Sequence, residues 1–238
     1  MTASHLIYDY MTNSQLSTSL QKRARHETQK QERRETILNT AQGLFLAATY
    51  DAVTMDGIAR ETGLAKGTLF LYFRTKEELF LALTVRELTA WFERVDALLA
   101  ELPCPASTES VADALADSVS QQAGFARLMA ILSTVLEQNI SYEASLTFKQ
   151  SLLAQMASTG ARLERCLEFL PRNEGGIRLL MQCQALLVGF WHLADPAPVI
   201  REVLQRPEMR VFSVDFEREF RQTLLSLLKG IERIQGTR

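Results

Sequence analysis

The residues best suited to chemistry in this chain lie close together, between Thr54 and Lys76. Lys66, Gly67 and Thr68 follow one another, and Tyr72 and Lys76 come at intervals of four beyond them. An ammonium at Lys66 reaches a phosphate or a guanine. Gly67 has no side chain, so a backbone there approaches a duplex closely. Thr68 offers a hydroxyl suited to phosphate and a methyl suited to thymine. The Tyr72 phenol donates to a phosphate, and Lys76 beside a helix start makes an anion site. These are the chemistries of nucleic-acid recognition. An enzyme needs a different constellation, and the three histidines, His5, His26 and His192, are scattered. No nucleophile elbow, metal-ligand spacing or phosphate loop occurs, so neither catalysis, nor a metal, nor a cofactor is expected.

Such a set must be held by two short helices joined by a tight turn. Ile37, Ala41, Leu44, Phe45 and Ala48 repeat on one helical face, which predicts a helix over 31–48. A break follows at Thr49-Tyr50-Asp51. Thr54 then reads as an N-cap, Asp56 as a first-turn acid, and Val53 with Ile58 as a hydrophobic staple. Gly63 supplies the left-handed residue that ends this second helix. A third helix over 65–73 buries Leu69 and Phe73. Helices at 54–62 and 65–73 around a glycine turn form a helix-turn-helix, whose second member lies in the major groove. Thr75 with Glu78 is a capping box that opens a long fourth helix, ending near Pro103.

Composition agrees. The 238 residues are 47% hydrophobic and 23% charged, with only 11 glycines and 6 prolines, which favours helices over a sandwich or barrel. Net charge is −2, but residues 22–76 carry ten basic and six acidic side chains against 16 and 22 elsewhere. A basic segment beside a larger acidic body suits a DNA-reading module joined to something that does not touch DNA. Cys104, Cys166 and Cys183 are far apart and read as reduced, mostly packed thiols of a cytoplasmic protein. No stretch approaches the ~18 unbroken apolar residues of a membrane span, and no secretory signal opens the chain, so no membrane partner is expected.

The run from Ile37 to Leu79, with Tyr50-Asp51-Ala52-Val53-Thr54-Met55, Gly63-Leu64-Ala65-Lys66-Gly67-Thr68-Leu69-Phe70-Leu71-Tyr72-Phe73 and Lys76-Glu77-Glu78-Leu79, resembles the N-terminal domain of the TetR family of bacterial regulators. The resemblance implies an all-α chain, with a three-helix DNA-binding head followed by a larger helical body for ligand binding and dimerisation. It implies DNA contacts at Thr54, Ala65, Lys66, Gly67, Thr68, Phe70, Tyr72 and Lys76. It also implies a repressor that leaves a palindromic operator when a small molecule binds. Two positions depart from the family pattern: Thr49 stands where glycine is common, and Phe70 where tyrosine is common.

The expected organisation is a flexible tail over 1–28, a head over 29–76 and a body over 77–238. The tail ends in Lys22-Arg23-Ala24-Arg25, which either solubilises the chain or touches DNA. Body helices are expected near 108–121, 124–139, 142–169, 175–194 and 211–234, with a short one over 199–205. The helices near 175–194 and 211–234 are apolar on two faces, which suggests one face on the core and the other on a second copy, with Leu187, Phe190, Leu224 and Leu228 at that homodimer interface; plain central core helices are the alternative. Phe92, Phe125, Met129, Phe148, Leu152, Met156 and Trp191 are bulky candidates for a pocket taking a small hydrophobic effector, although apolar residues at helical spacing also describe plain core. The competing class is an adaptor bundle that has lost DNA binding. Intact Lys66-Gly67-Thr68 and Lys76 argue against it.

Overall fold

A computed structural model describes residues 3–236 apart from Gln121, with side chains from Arg25 onward except that of Ala123. Among these residues there are ten α-helices and no strand. The chain divides into two units, Met1–Lys76 and Glu77–Arg238.

The first unit holds α1 (Ala3–Ala47), α2 (Met55–Thr62) and α3 (Lys66–Tyr72). Composition predicts a flexible tail over 1–28, whereas α1 begins at Ala3. No glycine precedes Gly43 and no proline precedes Pro103, so nothing in this polar segment interrupts a helix. Arg25 is exposed, and the other side chains of the 22–25 basic cluster lie outside those described. The core of the unit is built from Ile37, Leu38, Ala41 and Phe45 of α1, Ile58 and Ala59 of α2, and Leu69 and Phe73. All are at most 4% exposed. Arg34 covers this core by lying 4.9 Å over the Phe73 ring.

The second unit contains α4 (Lys76–Ala100) from Glu77 onward, then α5 (Thr108–Val119), α6 (Ala123–Ile131) and α7 (Tyr142–Cys166). These are followed by α8 (Gly175–Ala194), α9 (Pro198–Val203) and α10 (Phe216–Gln235). The helix expected over 124–139 is broken: α6 stops at Ile131, and a π turn and a 3-10 turn carry the chain to Asn139. Thr134 donates to the Ala130 carbonyl and Asn139 to that of Val135, side chains that compete for the backbone groups a regular helix uses. α10 starts at Phe216 and not near 211. Pro207 opens a 3-10 stretch, and the Asp215 side chain then caps the helix by accepting from the Arg218 amide at 3.2 Å.

α8 packs against α6, α7 and α10, and α10 also packs against α5. At the α7–α8 crossing the two backbones touch. A β-carbon on Gly176 would lie 2.1 Å from the Gly160 carbonyl oxygen, so only glycine fits. Beside this crossing the buried Glu164 carboxylate accepts the amides of Asn173 at 2.9 Å and Gly176 at 3.0 Å, fixing the turn into α8. By length and composition α8 is apolar enough to cross a membrane, although Arg178, Gln182 and Gln184 interrupt its apolar run. Its Leu179, Leu180, Cys183 and Leu187 are instead packed inside the helical body.

The same packing corrects the expected interface. Leu187, Leu224 and Leu228 are 3%, 0% and 0% exposed within a single chain, so they belong to its own core. α8 and α10 pack on each other inside the protomer, and the stripe carrying these leucines faces inward. Phe190 is half-buried. The outward surface of α8 carries Met181, Ala185 and Leu193, and that of α10 ends in Ile234.

Candidate functional site

In the first unit, local chemistry sets the helix-turn-helix. The Thr54 hydroxyl accepts from the Gly57 amide at 3.1 Å and caps α2. Gly63 has φ 68°, and the Leu64 amide donates to the Ala59 carbonyl at 2.9 Å, which turns the chain sharply into α3. Leu69 and Phe73 anchor α3 inward. That register leaves Ala65, Lys66, Gly67, Phe70 and Leu71 on the open side, with Thr68 and Tyr72 at its edge. A β-carbon on Gly67 would meet nothing within 4 Å in the chain, so its small size serves no internal packing.

The two lysines differ. Lys66 makes an exposed ion pair with Asp56 at 2.8 Å. Such a pair contributes little in water, so the ammonium is available to a phosphate. Lys76 donates to the Tyr50 carbonyl at 2.5 Å and lies 3.8 Å over the Tyr50 ring. Its charge therefore secures the α1–α2 turn, a structural task that residue type alone does not reveal. In that turn Ala52 and Val53 donate to the carbonyls of Thr49 and Tyr50 at 3.2 Å. Thr49 itself keeps a negative φ, so the glycine common in the family is not required here.

The geometry also adds residues. His26, Lys30 and Arg33, spaced four and three along exposed α1, line a concavity with Thr68, Leu71 and Tyr72. The helical period at 26, 30 and 33 is the signal for this basic stripe, but it falls partly in the segment whose composition suggests a tail. Leu71 is 83% exposed, an apolar side chain offered to solvent from the middle of α3.

In the second unit, Phe92, Phe125, Met129, Leu152 and Met156 converge on one apolar cavity, together with Leu88, Trp91, Cys183 and Gln184. Phe148 is buried elsewhere in the core, and Trp191 packs edge-on against Phe216 at 5.7 Å, so neither lines it. The cavity's volume is only about 20 Å³, room for little more than one water molecule. The cavity is thus a narrow slit that must widen to admit a drug-sized molecule. Among the described residues no charged side chain lines it. The Trp91 indole donates to the Ser118 hydroxyl at 2.9 Å, and Gln184 contributes an amide to the lining. Burial pushes the Cys183 thiol up to about 12, so it remains a protonated, apolar wall.

The family model for bacterial regulatory proteins of the tetR family matches residues 37–83. A model described as tetracyclin repressor-like, C-terminal domain, matches residues 85–235. Among solved structures, the TetR family transcriptional regulator PfmR from Thermus thermophilus is 19% identical. It aligns over 81% of this chain and 97% of its own, with a TM-score of 0.52. A regulator of the TetR/AcrR family from Thermobifida fusca is also 19% identical, over 83% of this chain and 96% of its own, with a TM-score of 0.51. Both share the fold. No curated protein matches the chain.

Proposed function

We propose that this chain, which belongs to the TetR family of bacterial regulatory proteins, is a homodimeric cytoplasmic repressor whose effector is a small hydrophobic molecule. A transcriptional regulator of this family binds DNA and is not an enzyme. The observation that carries the reading is the open face of α3. Leu69 and Phe73 fix the helix so that Lys66, Gly67, Phe70 and Leu71 point outward, while His26, Lys30 and Arg33 flank it with basic side chains. Thr68 and Leu71 read bases, and Lys66, Tyr72, Lys30 and Arg33 hold phosphates. Thr54, Ala65 and Lys76 stand at the starts of α2, α3 and α4, where they set the position of this face.

Two heads must be yoked to read a two-fold operator. The outward apolar surface of α8, with Met181, Ala185 and Leu193, supports pairing with a second copy. An uncharged slit lined by aromatic rings, methionines and leucines supports an apolar or aromatic effector. Mapping of bound sites in the native host, with and without the gene, tests repression. Discrete sites near promoters, with transcription from them rising on deletion, are expected. Falling transcription would make the protein an activator, and absence of discrete sites would remove the DNA-binding role.

A further inference from the structure

Two of the three cysteines, 62 residues apart in sequence, meet in the body. The Cys104 and Cys166 sulfurs are 2.8 Å apart, less than an ångström beyond the roughly 2.05 Å of a covalent S–S bond. Cys104 lies in the connection between α4 and α5, and Cys166 is the last residue of α7. The contact is held by more than the thiols. The Ala106 amide donates to the Cys166 carbonyl at 2.9 Å, and the Ser107 hydroxyl caps α5 by accepting from the Ser110 amide at 3.1 Å. The connection is therefore tied to the end of α7 on one side and to α5 on the other.

Access differs between the two sulfurs. Cys104 is exposed and Cys166 is buried. Burial, with the neighbouring thiol, raises Cys166 to about 11, so an oxidant in solution meets Cys104 first. Cys183 is enclosed in the apolar slit and takes no part.

We propose that Cys104 and Cys166 form a reversible intramolecular disulfide, with Cys104 as the attacking and Cys166 as the resolving thiol. The co-reactant is a low-molecular-weight disulfide such as oxidised glutathione. The Cys104 thiolate attacks one of its sulfurs, forming a mixed disulfide and releasing one glutathione thiolate. The Cys166 thiolate then attacks the Cys104 sulfur, closing the protein disulfide and releasing the second glutathione. Two protein thiols are oxidised, one glutathione disulfide is reduced, and the two thiol protons pass to the departing glutathiones. In a reducing cytosol such a bond is transient, as redox-sensing disulfides are. It ties the α4–α5 connection to the end of α7, and α4 and α7 both carry walls of the slit.

The test treats the reduced full-length protein with oxidised glutathione, then alkylates it in denaturant and maps its peptides. Wild type is expected to lose two of its three titratable thiols, to yield linked Cys104 and Cys166 peptides within one chain, and to recover all three with dithiothreitol. Cys166→Ala is expected to stop at a stable glutathione adduct on Cys104, and Cys104→Ser to keep both remaining thiols. Three persisting thiols, a stable adduct on wild-type Cys104, or a link between two chains would each overturn the proposal.

Discussion

The Lys66 ammonium lies 2.8 Å from the Asp56 carboxylate, so the cation that opens α3 is held by the first turn of α2 when DNA is absent. Both side chains are more than half exposed, and the pair contributes at most about 1 kcal/mol. A phosphate must displace Asp56 from Lys66. Asp56→Asn is therefore expected to tighten binding about two- to fivefold on all sequences, while Lys66→Ala weakens it and lowers the salt slope by about one per subunit. Titrations at several salt concentrations check both. Weaker binding by Asp56→Asn would place Lys66 away from the phosphates.

Phe70 is 39% exposed, so part of its side chain already meets solvent. A hydroxyl added there is expected to meet water and not the core, and Phe70→Tyr should leave the melting temperature unchanged. Binding should tighten by roughly 0.5–1.5 kcal/mol, the net worth of one hydrogen bond, and equally across sequences because phosphates carry no base identity. Anisotropy titrations against matched and scrambled duplexes measure it. Weaker binding would mean that the ring seats against the duplex without room for an oxygen.

Lys76 and Lys66 should fail differently. Removing the Lys76 ammonium takes one donor from the Tyr50 carbonyl, which also accepts from the Val53 amide, and takes the cation from the Tyr50 ring. Lys76→Met is expected to destabilise the head by about 1 kcal/mol and to weaken DNA binding with it. Lys66→Ala is expected to weaken binding at unchanged stability. Urea unfolding and hydrogen exchange over residues 49–53 separate the two. Unchanged protection in Lys76→Met would show that the turn holds itself.

Much of the head was legible because its signals are local. A hydroxyl at Thr54, a glycine at Gly63 and apolar residues at Ile58, Leu69 and Phe73 each act within a turn or two of their own position. What the sequence hid depends on distance along the chain. Cys104 and Cys166 are brought together only by the packing of α7 and the loop before α5, and spacing alone reads them as unrelated. α8 and α10 were recognisable as apolar on more than one face, but periodicity does not tell which face meets its own chain. Leu187, Leu224 and Leu228 proved to be core for that reason. The α1 extension was obscured by polar composition, although no breaker interrupts it.

The inward turn of those leucines separates folding from pairing. Met181 is 60% exposed and Leu228 fully buried. Met181→Glu, placed on the outward face of α8, is expected to give folded monomers with much weaker operator binding. Leu228→Glu puts an unpaired charge into the core and is expected to unfold the body. Light scattering and circular dichroism distinguish the two outcomes. A stable dimer in Met181→Glu would move the interface off this face of α8.

The most direct measurement of the central claim, that α3 of a paired protein reads a duplex, is selection of bound sequences from a random pool by the full-length protein. Two-fold symmetry predicts an enriched inverted repeat, its half-sites about one helical turn apart or slightly more. Thr68→Ala or Leu71→Ala is expected to relax preference at a base pair in each half-site, where a thymine methyl is read. Enrichment of a motif without a dyad, or no enrichment at all, would contradict the account.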